Sequence, residues 1–144
     1  MALSVSAEKM KTELQKVVAL RRELRAMDEE WQDILALEEE FSGLVEVDMQ
    51  LLHDLHAERM AVRKTLAAAQ LRNFSRIQHT LLTDFQRRIM RLRYVQGLTW
   101  GDLTARVGNS KQYILREHNK ALERLCENQT RRESLPCVKG GGTA

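Results

Sequence analysis

Residues 92–125 read LRYVQGLTWGDLTARVGNSKQYILREHNKALERL, and this stretch decides the fold. Gly97 follows a helical pattern, at a site where a left-handed backbone is cheap only for glycine. Thr99 then opens a new helix as N-cap, with Asp102 three residues on to complete a capping box in its acidic form. Leu98, just before the cap, is placed to staple against Leu103. Gly108-Asn109 supplies a tight turn tolerant of positive φ, and Ser110 caps the long helix that follows. Two capped helices joined by so short a turn must cross steeply, as DNA-reading pairs do.

Upstream, no Gly or Pro interrupts residues 6–41, and Leu14, Val17, Leu20, Leu24, Met27, Trp31 and Ile34 recur at spacings of three and four. That is the period of an amphipathic helix, close to a coiled-coil seam. Ser42-Gly43 is the one break. A second run follows at Val45, Leu52, Leu55, Val62, Leu66 and Ala69, with Asp48 and Arg59 falling in the same seam. Two long helices joined by a short turn predict an antiparallel hairpin. One continuous bent helix is the other reading, because a single glycine costs only ~1 kcal/mol in a helix interior. The pattern loosens at Arg72-Asn73-Phe74-Ser75. A further helix carries Leu82, Phe85, Ile89 and Leu92 on one face, crowded by Arg87, Arg88, Arg91 and Arg93. The expected organisation is all-α: a hairpin for assembly or partner binding over residues 1–75, a helix-turn-helix domain over 76–128 and a flexible tail over 129–144.

One proline, seven glycines and 30% charged residues in a 144-residue chain suit helices better than a sheet. The net charge of +3 hides an asymmetry. Residues 1–58 hold 6 Lys/Arg and 14 Asp/Glu, a net of −8, whereas residues 59–144 hold 17 and 6, a net of +11. The basic half contains the helix-turn-helix, so charge and motif both point to a polyanion there. The acidic half would repel DNA and suits a protein-facing or self-associating element, and a hairpin with so thin a core needs a partner. No apolar run approaches the ~20 residues that span a bilayer, and the first fifteen residues lack the regions of a signal peptide. Cys126 and Cys137 read as two free thiols, with a disulfide between them as the alternative.

In the last third of the chain, Leu92-Arg93-Tyr94, Gly97, Thr99-Trp100, Leu103, Gly108, Ser110, Ile114, His118, Ala121-Leu122 and Leu125 resemble region four of bacterial sigma factors. They are closer still to the sigma-like helix-turn-helix proteins of phages and prophages, the ArpU-like transcriptional regulators and their relatives. Thr104, Asn109 and Glu117 depart from that pattern, the last placing a charge near an expected core seam. The resemblance implies a duplex DNA-binding regulator of late genes that touches RNA polymerase, in the cytoplasm of a bacterial host cell.

The reading helix is expected over residues 110–126, with Ile114, His118, Ala121, Leu122 and Leu125 facing inward. Lys111, Gln112, Tyr113 and Arg116 lie near its N-terminal end, where a helix in the major groove meets base edges. Arg116 suits guanine and Gln112 adenine, while Lys111 suits base or phosphate. By resemblance, Lys111, Gln112, Arg116 and Lys120 match DNA-contacting positions, and Thr99 and Trp100 phosphate-contacting ones. Trp100 reads equally as a lid over the helix pair, and Tyr113 as a shield of the turn. His118 falls on the buried side as a core histidine bonded to a carbonyl. His53 and His56 have metal-compatible spacing, but nothing completes a site, so no metal or cofactor is expected. The Glu38-Glu39-Glu40 run reads as a solvated face or as a match for a basic partner. No phosphate-cradling loop, nucleophile elbow or paired carboxylate is present, so no enzyme is expected. Two other readings stay open. One is a small terminase subunit, which usually carries its DNA reader ahead of its oligomerising helices. The other is a protein that docks on polymerase or a sigma factor and never reads DNA.

Overall fold

The computed structural model describes residues 2–44, 46 and 48–134. Among these residues it is all-α: α1 (Val5–Leu14), α2 (Lys16–Glu40), α3 (Met49–Gln78), α4 (Asp84–Tyr94), α5 (Trp100–Val107) and α6 (Lys111–Ser134). None of these helices is long and apolar enough to cross a membrane.

Ser4 starts α1 by accepting the Ala7 amide, and Gln15 alone separates α1 from α2. Gln15 keeps a right-handed helical backbone, and the amides of Gln15 and Ala19 still bond four residues back. α1 and α2 are therefore one bent helix. The chain then turns at Phe41–Leu44, with Gly43 at φ 80°, and Asp48 caps α3 by accepting the amides of Gln50 and Leu51. α2 and α3 pack antiparallel: the predicted hairpin forms. Val17, Leu66 and Ala69 fill its base with Leu20 and Leu24. Further out, Arg59 reaches Asp28 at 2.6 Å and lies over the Trp31 ring at 5.1 Å. This explains a charge in the apolar seam, while Asp48 is outside the helix as its cap. Val45 lies outside the described residues.

The domain boundaries read from sequence need correction at three points. Ala7, Met10 and Leu14 of α1 belong to the same core as Ile77, Leu82, Ile89, Met90, Tyr94, Leu103, Ile114, Leu122 and Leu125. The bend at Gln15 lets α1 leave the hairpin and pack on α6, so the C-terminal core borrows its first helix from the N-terminus. No junction exists at residues 72–75, because α3 runs through them to Gln78. Asn73 is buried there and donates to the carbonyls of Leu14 (3.0 Å) and Tyr94 (2.8 Å), while Gln70 donates to that of Val95 (2.8 Å). These amides of α3 bond carbonyls at the bend between α1 and α2 and at the end of α4. Lastly, α6 continues to Ser134, so residues 129–134 are helical. The remainder of the expected tail, with Pro136 and Cys137, lies outside the described residues, and Cys126 is half-buried beside the core.

Candidate nucleic-acid interface

The local signals of the helix-turn-helix are realised in the geometry. Gly97 has φ 73° and Gly108 φ 83°, the left-handed values that favour glycine. Leu98 donates back to the Leu92 carbonyl, closing α4. Thr99 Oγ1 accepts the Asp102 amide at 3.1 Å, and Ser110 Oγ accepts the Tyr113 amide at 3.2 Å. Leu98 packs, partly buried, against the core that contains Leu103. The reciprocal capping box belongs to another helix start. Thr83 Oγ1 accepts the Gln86 amide and Gln86 Oε1 accepts the Thr83 amide, opening α4.

Gln86 also shows how Glu117 fits its seam. Its buried side-chain amide donates to Glu117 Oε1 (3.3 Å), and its Oε1 accepts from Arg124 (3.2 Å). Glu117 in turn holds Lys120 at 3.0 Å. The carboxylate is satisfied rather than stranded, which is the condition for keeping a charge near a core.

α6 has a buried side and a presented side. Ile114, His118, Ala121, Leu122 and Leu125 are buried as expected. Lys111, Gln112, Tyr113, Arg116 and Lys120 are all exposed, the first four within the two turns that follow the tight turn. Tyr113 divides its contacts, its ring lying 5.2 Å from Phe85 of α4, so it braces the helix pair while one edge faces water. Thr99 is exposed, although its hydroxyl is engaged as the cap. Trp100 is half-buried, with its ring edge-on to His118 at 4.9 Å and the Arg93 guanidinium 4.6 Å over its face. One face is thus covered by the guanidinium while part of the ring stays open to solvent.

His118 is a core histidine bonded to a carbonyl, the side-chain one of Asn119, and also to a hydroxyl. Tyr94 Oη lies 2.5 Å from Nε2, and Nδ1 lies 3.1 Å from Asn119 Oδ1. Because Oδ1 only accepts, Nδ1 carries the ring proton and Nε2 accepts from the Tyr94 hydroxyl. Burial pushes the His118 pKa down to about 4, helped by the charges of Lys11 and Arg93 against the pull of Asn119. Burial likewise lifts Tyr94 to about 12. Both groups are neutral at pH 7.

Two features of this region escaped the sequence reading. Ser4 donates to Glu123 from both its amide (2.9 Å) and its hydroxyl (2.7 Å), fixing the start of the chain against α6. These bonds to Ser4 hold the Glu123 carboxyl below the usual carboxylate range. The pair is 119 residues apart, and no local pattern marks it. The second is the use made of the arginines of α4. Arg87 meets Asp84, Arg91 meets Gln78 and covers the Phe74 ring, and Arg93 donates to the Leu98 carbonyl, whereas Arg88 is exposed. Among the described residues no group of three or more His, Cys, Asp or Glu is placed to hold a metal ion.

The chain matches no protein-family model, no curated protein and no solved structure.

Proposed function

We propose that this chain is a sequence-specific duplex DNA-binding transcriptional regulator of the phage or prophage type, acting on late genes. One observation carries the reading: the first two turns of α6 present Lys111, Gln112 and Arg116 to solvent, directly after a glycine-closed turn, on a helix whose opposite side is buried. A helix anchored in this way offers its N-terminal side chains to the major groove. The +11 charge of residues 59–144 supports the same partner through phosphate attraction. Late-gene control and contact with RNA polymerase rest on the resemblance of residues 92–125 to sigma region four.

In this reading the hairpin is the assembly element. Leu37, Phe41, Leu44, Met49 and Leu51 are exposed towards its tip, an area a hairpin alone cannot cover. A homo-oligomer formed through residues 1–75 would cover it, and sedimentation of the full chain at micromolar concentration tests that part.

The deciding experiment is a gel-shift titration of the full chain on duplexes selected from a random pool, repeated over a range of salt. Binding should fall linearly with log salt, with a slope of about −0.9 for each phosphate contacted. Absent or salt-insensitive binding overturns the reading in favour of a protein that docks on polymerase or a sigma factor. Ring-shaped assemblies by light scattering would favour a small terminase subunit.

A further inference from the structure

We infer that residues 2–4 form part of the duplex-binding surface, as the outer wall of a groove on α6 that seats one sugar-phosphate strand; this rests on the DNA-binding reading above. The groove has a volume of about 600 Å³. Leu3 and Leu115 give it apolar walls, and Gln112, Arg116, Asn119 and Lys120 line it with donors. The arm is held in place, not merely near: both bonds from Ser4 end on Glu123, and Leu3 packs against the core.

Size decides what such a wall can do. A helix with its side chains is about 10–12 Å across, and the major groove is about 12 Å wide. α6 therefore fills the groove alone, and an arm fixed to its flank must stay at the lip, where the backbone runs. The chemistry of the groove matches that strand. Deoxyribose offers apolar carbons to Leu3 and Leu115, and the neighbouring phosphate suits the cation of Lys120 and the amide of Asn119. Arg116 and Gln112 sit where the groove continues into the presented end of α6. Contacts of this kind fix register and carry no sequence information.

The test uses the full chain, a variant lacking residues 2–4 and Glu123→Gln, each titrated on a selected duplex and on a scrambled one. Deleting the arm should weaken both duplexes alike, by roughly tenfold if the apolar contact of one leucine is lost, with the ratio between them unchanged. Glu123→Gln gives a result of opposite sign to simple electrostatics. Loss of a carboxylate beside DNA would by itself tighten binding, whereas loss of one of the two bonds from Ser4, since glutamine keeps a single acceptor oxygen, should loosen the arm and weaken it. Circular dichroism and thermal melting of each variant establish that the helices are intact. A folded deletion variant that binds both duplexes as tightly as the full chain, or more tightly, overturns the assignment; so does tighter binding by folded Glu123→Gln. If the unmodified chain itself shows no salt-dependent binding, the DNA-binding reading fails and the arm's role fails with it.

Discussion

The hydroxyl of Tyr94 lies 2.5 Å from Nε2 of His118, joining the last residue of α4 to the middle of α6 beneath the edge of Trp100. With the hydroxyl as donor the bond requires a neutral imidazole, and charging a ring so deeply buried is costly, which makes the packing of α6 sensitive to acid. His118 has a pKa of about 4 when folded and an ordinary value of 6.5 when unfolded. Between those values the unfolded chain binds the extra proton, so stability rises with pH across the window. The contribution is fully present above pH 6.5 and is lost as pH falls towards 4, by an amount on the order of 3 kcal/mol. Urea unfolding at pH 7.5, 6 and 5 should show the loss beginning below 6.5, with a shallower fall in His118→Gln. An equally steep fall in that variant would place the acid sensitivity in the carboxylates instead.

Asn73 should prove the most costly polar residue to remove. Its buried side-chain amide donates to the end carbonyls of both α1 and α4. Asn73→Leu preserves size but strands two carbonyls, at about 1–3 kcal/mol for each buried group left unsatisfied. We expect a loss of about 2–4 kcal/mol in chemical denaturation, with a smaller loss for Gln70→Ala, whose residue is only half-buried. A loss under 1 kcal/mol would show that water replaces both bonds.

These two residues also show what was legible in the sequence. The turns at Gly97 and Gly108 and the caps at Thr99 and Ser110 are set by neighbours within a few positions, so their chemistry is written locally. The hairpin was readable for the same reason, through a repeat at spacings of three and four. The destination of α1 was not. Leu14 continues the spacing of Val17, Leu20 and Leu24, and nothing in that period says that the bend at Gln15 sends it to a different core. Asn73 looked like a loosening of the pattern because a polar residue in an apolar stripe reads as a boundary until its acceptors are known. Those acceptors are 59 and 21 residues away. The presented residues of α6 were recognisable by type and spacing, but the arm beside them rests on one long-range pair, Ser4 with Glu123.

Cutting the chain at residue 70 tests whether the helix-turn-helix is a self-sufficient domain. A fragment of residues 71–144 loses Met10 and Leu14 from its core and exposes the apolar surface they cover on α6. Burial of each is worth roughly 1.5–3 kcal/mol, against a total stability of about 5–15 kcal/mol for an ordinary domain. We expect the fragment to stay helical by far-ultraviolet dichroism but to melt without cooperativity and to give poorly dispersed amide spectra. Weak duplex binding by such a fragment would therefore report a damaged fold, not a misplaced interface. Sharp, cooperative melting would show that α1 contributes little to the core it joins.

Arg116 and Lys120 sit one helical turn apart on α6, yet they should behave differently on DNA. Arg116 is exposed, and no hydrogen bond or ion pair engages it among the described residues, so its fork of donors is available to a guanine edge. Arg116→Ala should cost ~1–3 kcal/mol of discrimination between a selected duplex and a scrambled one. Lys120 is tethered to Glu117 at 3.0 Å with its own side chain 57% exposed. The lysine end of the pair is open to water while Glu117 is only 13% exposed, so a phosphate can reach the ammonium and draw it outwards. Lys120→Ala should weaken both duplexes alike and lower the salt slope by about 0.9. Glu117→Gln sharpens the comparison, because it keeps an acceptor for Gln86 while releasing Lys120 and removing an anion. That variant should bind both duplexes more tightly without changing their ratio. If Arg116→Ala instead weakens both equally, its role is positional, and base reading falls to Lys111, Gln112 or Tyr113.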